Sequence, residues 1–136
     1  MREILFRAWW KDGGGLVDQN DYVIRPNGTV EFPEGGWDLW GSDDSHLVVL
    51  EQFTGLTDEN GKRIFEGDIV AFNAEDELWE PHYYQGFVYF CDGAFWVDCG
   101  KDNDDNDVLF SIGHALLADK NIQVIGNIHD NPELLT

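Results

Sequence analysis

The chain has 136 residues, with 27 Asp and Glu against 8 Lys and Arg and a formal net charge of −19. That length holds one domain or two small lobes sharing a core, and 43% hydrophobic residues with 14% aromatics exclude a disordered acidic tail. A charge of −19 repels phosphate and anionic lipid, which argues against direct nucleic-acid binding and against a membrane partner.

The opening run Ile4-Leu5-Phe6-Arg7-Ala8-Trp9-Trp10 ends at Lys11-Asp12-Gly13-Gly14-Gly15 and predicts a strand followed by a turn. Arg7 interrupts it too early for a signal-peptide core, and nowhere does the chain approach the ~18 consecutive apolar residues of a membrane span. The expectation is a cytoplasmic protein. Tyr22-Val23-Ile24-Arg25 and Thr29-Val30-Glu31-Phe32 flank Pro26-Asn27-Gly28, and Asn-Gly supplies the positive φ angles of a tight hairpin. Trp37 to Ser45 lacks a clean period and reads as loop, and His46 to Phe53 resumes a strand.

In the string from Gln52 to Val70, Asn60-Gly61 is a second tight turn, and Glu66-Gly67-Asp68 turns the chain before the strand Ile69-Val70-Ala71-Phe72. Short strands separated by turns at this spacing predict a small barrel. From Tyr83 to Asp98 the Asp92-Gly93 turn sets a register by counting. Phe90 faces Phe95 and Val88 faces Val97 on one side, the core face. Tyr89 faces Trp96 and Phe87 faces Asp98 on the other, which is either a second buried surface or an exposed aromatic patch. The same register separates Cys91 and Cys99 by about 17 Å, beyond disulfide reach, so both are expected as free thiols. Further on, Ser111 reads as the N-cap of a short helix reaching Asp119, weakened by Gly113. Ile122 to Ile128 reads as a closing strand, and Asn131-Pro132-Glu133-Leu134-Leu135 as a capped final turn.

The negative charge is concentrated: residues 37–60 carry a net −6 and residues 73–107 a net −9. Both segments are rich in turn formers, so they are either solvated loops or a presented anionic surface.

Three stretches together carry a family likeness. They are Arg7-Ala8-Trp9 after Ile4-Leu5-Phe6, the string from Gln52 to Val70, and Val124-Ile125-Gly126-Asn127-Ile128 with Asn131-Pro132-Glu133-Leu134-Leu135. In order and distance they resemble the YopX family of phage and prophage proteins. The resemblance implies a largely β fold with an SH3-like barrel in the carboxy-terminal part, phage or prophage origin, and self-association into a homo-oligomer. It supplies no biochemical activity and no catalytic residues. The expected organisation is an N-terminal β region over 1–50 with β hairpins, then an SH3-like barrel over 51–136 that carries the acidic hairpin and loop, with short helical turns, in one compact unit. Within the central motif Gly55, Gly61 and Gly67 read as turn formers, while Phe53, Leu56, Ile64, Phe65, Ile69 and Val70 supply apolar mass.

The chemistry-bearing residues form no catalytic constellation. Asp102-Asn103-Asp104-Asp105-Asn106-Asp107 starts like a calcium loop, but Asp107 stands where such a loop needs Gly and Gly113 where it needs a bidentate Glu. His46, His82, His114 and His129 have no zinc-ligand spacing, the two cysteines form no C-x-x-C pair, and no serine sits in a nucleophile elbow. Gly13 to Gly15 lacks the lysine and helix of a phosphate loop, so no metal and no cofactor is expected. The leading reading is a non-enzymatic phage accessory protein that binds an unidentified host or phage protein through Phe87, Tyr89 and Trp96. The alternative is a nucleic-acid mimic, in which the acids of residues 75–80 and 98–107, among them Asp102, Asp104, Asp105 and Asp107, stand in for phosphates in the DNA site of a host protein. A small metal- or Cys-dependent enzyme is the third.

Overall fold

The computed structural model describes residues 3–32, 45–75 and 78–135. The chain is mainly β, with ten strands and one short helix among the described residues. It divides into two compact units, Leu5–Gln52 and Phe53–Thr136, the latter taking in Met1–Ile4.

In the smaller unit, β1 (Phe6–Trp10) pairs antiparallel with the first half of β4 (Val48–Thr57), Ala8 opposite Leu50. β2 (Val23–Ile24) and β3 (Val30–Glu31) form the expected hairpin, closed by Arg25 N donating to Thr29 O at 2.9 Å. The Trp37 to Ser45 loop lies, up to residue 44, outside the described residues. Ser45–Leu47 is a 3-10 turn, so the strand expected from His46 starts at Val48. Ala8, Val17, Tyr22, Val30 and Val48 make the core of this unit. Glu51 is buried at its edge, where its Oε1 accepts from the Trp9 indole at 2.7 Å and from Arg7 Nε at 2.8 Å. The cation and the indole N–H together supply what a buried carboxylate requires.

In the larger unit, β5 (Arg63–Phe65) pairs with the end of β4, and Asn60–Gly61 turns the chain between them. Gly61 has φ +78° and open space around the position of a Cβ. The cost of a side chain there is therefore the left-handed backbone alone. Gly61→Val is expected to lower stability by about 1–2 kcal/mol, seen as a lower melting temperature, and Gly61→Asn by clearly less.

β6 (Asp68–Glu75), β7 (Pro81–Cys91), β8 (Ala94–Lys101) and β9 (Asp107–Ser111) follow as an antiparallel meander. α1 (Ile112–Ala118) comes next, its first turn capped by Ser111 Oγ accepting from His114 N at 3.1 Å. β10 (Gln123–Asn127) then returns beside β6, giving the sheet order β10-β6-β7-β8-β9. A barrel predicted from strand spacing would need β9 to join β10. Among the described residues the sheet instead stays open, and α1 links the two edge strands while packing on β6, β8 and β9. Between sheet and helix lies the core: Val70, Phe72 and Ala74 of β6, Val88, Val97, Ile64, Ile112, Ala115 and Ile122. Pro132–Leu135 forms a 3-10 turn packed against β7. Asn131 caps differently from the expectation: its side-chain oxygen accepts from Asn127 N at 3.3 Å rather than from the turn that follows.

Candidate interaction face on the sheet

The register read by counting from Asp92–Gly93 is the one adopted: Cys91 pairs with Ala94, Phe90 with Phe95, Tyr89 with Trp96, Val88 with Val97 and Phe87 with Asp98. Asp92 and Gly93 both have positive φ, 51° and 80°, which gives the turn a twist matching the strands. Val88 and Val97 are fully buried. Phe90, expected on the core face, is 52% exposed because it sits next to the turn, and only Phe95 of that pair reaches the core cluster.

The opposite face holds the candidate partner-binding residues. Phe87 and Tyr89 lie two apart on β7 with ring centroids 5.8 Å apart, and Trp96 lies across from Tyr89 on β8. All three are partly buried, between the two alternatives left open by the sequence. Deeper on the same face Ile69, across from Phe87, is fully buried. The Trp96 indole donates to Cys91 O at 3.0 Å, fixing the ring. Burial, then the charges of Asp98, Cys91 and Asp107, push the Tyr89 phenol above its ordinary value, so it is a neutral donor at physiological pH. Leu109 on β9, which sequence reasoning missed, belongs to the same face: it lies opposite Asp98 and is 45% exposed. Its signal was the alternation of Val108 and Phe110 with Leu109, obscured because the segment also leads into a helix.

Asp102, Asp104 and Asp105 lie in the β8–β9 connection and Asp107 opens β9, and all four are exposed. Asp102 folds inward on its own loop: Oδ1 accepts from the backbone of Asp104 and of Asn106, each at 2.9 Å. The Asn106 amide, then that of Asp104, holds its carboxyl below the usual carboxylate range. Oδ1 of Asp102 is thus taken up in shaping its own loop. Lys101 lies 3.2 Å from Asp107 and 3.9 Å from Asp105, exposed pairs of small energetic weight. Asp105 takes a left-handed φ of 65° that completes the turn. Of the acids in 75–80, those at 76 and 77 lie outside the described residues.

Cys91 and Cys99 are both free. Burial, reinforced by Asp98, pushes the Cys99 thiol up to about 12, leaving it a packed thiol rather than a nucleophile at neutral pH. Among the described residues no three His, Cys, Asp or Glu side chains gather as a metal site, and no helix is long and apolar enough to cross a membrane.

The sequence profile of the YopX family, described as YopX protein, matches residues 5–136. The chain belongs to the YopX family. One curated relative is the SPbeta prophage-derived uncharacterized protein YopX of Bacillus subtilis (strain 168), 37% identical over 75 residues. That match covers 55% of this chain and 52% of the relative, so the chain spans about half the length of the curated relative it matches. Among solved structures, the crystal structure of protein EF1440 from Enterococcus faecalis is similar over 100% of both chains, with a TM-score of 0.57 and 27% identity. The likeness to that structure thus covers the residues of both compact units.

Proposed function

We propose that this YopX-family chain is a prophage accessory protein of the host-cell cytoplasm that acts as a non-enzymatic protein–protein interaction module. The prophage origin of the Bacillus subtilis relative supports the first part. The observation that carries the second is the face formed by Phe87, Tyr89, Trp96 and Leu109, aromatic and aliphatic surface left partly open across β7, β8 and β9, with Asp98 set between Phe87 and Leu109 and Asp107 at its end. Rigid aromatic side chains with a polar rim are the usual anchors of protein interfaces. The larger unit reads as an opened counterpart of the SH3-like barrel that the family likeness implies: a four-stranded meander, a helical turn, and a last strand returning beside the first. Self-association through the same face is part of this reading.

The test is capture of a host or phage protein by the tagged chain, washed at low salt and at about 0.5 M salt, where screening shrinks to a few ångströms. Replacing Tyr89 and Trp96 together by Ala is expected to abolish capture while the melting transition remains cooperative. Loss of the fold would make the pair core residues. A DNA-binding partner that elutes with salt and ignores the double substitution would instead favour mimicry by the exposed Asp104, Asp105 and Asp107.

A further inference from the structure

The fold treats the two edges of the five-stranded sheet differently. At β10 the edge is covered: Glu59 N donates to Ile122 O and Val124 N to Asp58 Oδ2, both at 3.0 Å, and the register slips between Val124 and Gly126. Such covering and bending are how sheets close their edges to other chains. β9 ends the sheet on the other side, and among the described residues no strand lies beyond it. Its side chains alternate, Val108 and Phe110 toward the core side, Asp107 and Leu109 toward the face of Tyr89 and Trp96.

We infer that the β9 edge takes an extended, basic segment of a partner protein as an added strand. This rests on the interaction reading above and names its partner class. Charge selects a basic segment over a second copy. Residues 98–107 carry five acids and the single base Lys101, and a second copy paired at this edge would add the same acidic segment to it instead of opposite charge. Strand geometry sets the spacing, because side chains two apart share a face. A residue beside Leu109 is apolar, and the residue two positions along, beside Asp107, is Lys or Arg.

The probe is a fluorescein-labelled peptide, Thr-Lys-Thr-Val-Thr-Lys-Thr, titrated into the full chain at low salt. Companion peptides carry Glu for both Lys, or N-methyl groups on one or the other alternate set of residues. Binding below about 1 mM is expected for the parent, with at least a tenfold loss for the Glu peptide and for one methylated form. The other methylated form is expected to stay within about threefold, since only every second amide of an added strand faces its neighbour. Hydrogen exchange should slow at Val108–Ser111. The inference is overturned if no peptide binds at that concentration, if the Glu peptide binds as well, or if both methylated forms bind like the parent. Protection confined to β7 and β8 also overturns it while leaving the aromatic face standing. So does a dimer of the chain alone whose β9 amides are already protected. Loss of capture by the Tyr89 and Trp96 variant tests the wider interaction reading independently of the peptide.

Discussion

Replacing Gly86 by alanine is expected to be among the most damaging single-methyl changes in the larger unit, costing about 3 kcal/mol or more. Gly86 sits in β7, opposite Val70, where the neighbouring β8 backbone comes unusually close. A Cβ there would lie 2.4 Å from the carbonyl oxygen of Asp98, 2.8 Å from its carbon and 2.8 Å from Cγ1 of Val97. The first two contacts are backbone in the middle of the sheet, and Val97 is itself fully buried, so none of the three swings aside as an exposed side chain would. Relief requires β8 to move off β7, which breaks the Phe87–Asp98 and Val88–Val97 pairs and opens the core over Phe72. In a unit of this size that corresponds to a melting temperature lower by more than about 10 °C. Circular dichroism melts settle it, and a variant melting within a few degrees of the parent would mean that the two strands part there at little cost.

Asp58→Ala is expected to cost about 3–5 kcal/mol, because it orphans three backbone donors at once. Oδ1 accepts from Asn60 N and Lys62 N, each at 2.9 Å, and Oδ2 from Val124 N at 3.0 Å. The carboxylate thus shapes the Asn60–Gly61 turn with one oxygen and ties that turn to β10 with the other. Burial on its own raises the pKa of this group. The amides of Val124, Lys62 and Asn60 and the charge of Lys62 outweigh it, and the net position is below the ordinary carboxylate value. A carboxyl depressed on folding stabilises the native state above its unfolded pKa of about 3.9, and that contribution disappears as pH falls through the lower, folded value. The gap between parent and Asp58→Ala in urea denaturation should therefore be full at neutral pH and shrink below about pH 4. A gap of the same size at pH 3 and pH 7 would show that the ionised form is not what the three amides hold. Asp119, which accepts from Asn73 N and Asn121 N at 2.8 Å each and is lowered by those bonds, adds to the same acid sensitivity.

Local signals in the sequence predicted local structure well. Asn27-Gly28, Asn60-Gly61 and Asp92-Gly93 mark turns because residue type alone makes their backbone angles accessible, and counting outward from Asp92-Gly93 yields the register of β7 on β8 pair by pair. The common face of Phe87, Tyr89 and Trp96 follows from the period of two. How far that face is buried does not, since it depends on remote segments such as the turn over Pro132–Leu135 that packs on β7. β9 escaped notice because its five residues run directly into α1, and its pairing with β8 passes through an irregularity between Asp98 and Lys101. Asp58 carries no sequence signal of its role, because its decisive partner, Val124, is 66 positions away. The open sheet was illegible for the same reason: whether edge strands meet is set by relations among all five strands, not by the spacing of their turns.

The placement of β10 beside β6 also governs the order in which the nascent polypeptide can complete its sheet. β6 through β9 pair in the sequence in which they leave the ribosome, each with the strand just made, but the far side of β6 has no partner until Gln123–Asn127 emerges. During that interval Ile69, Val70 and Phe72, all fully buried in the finished fold, lie on a bare strand edge. The final strand therefore acts as a closure on synthesis, ending the period in which the growing chain is most open to pairing with its neighbours on the polysome.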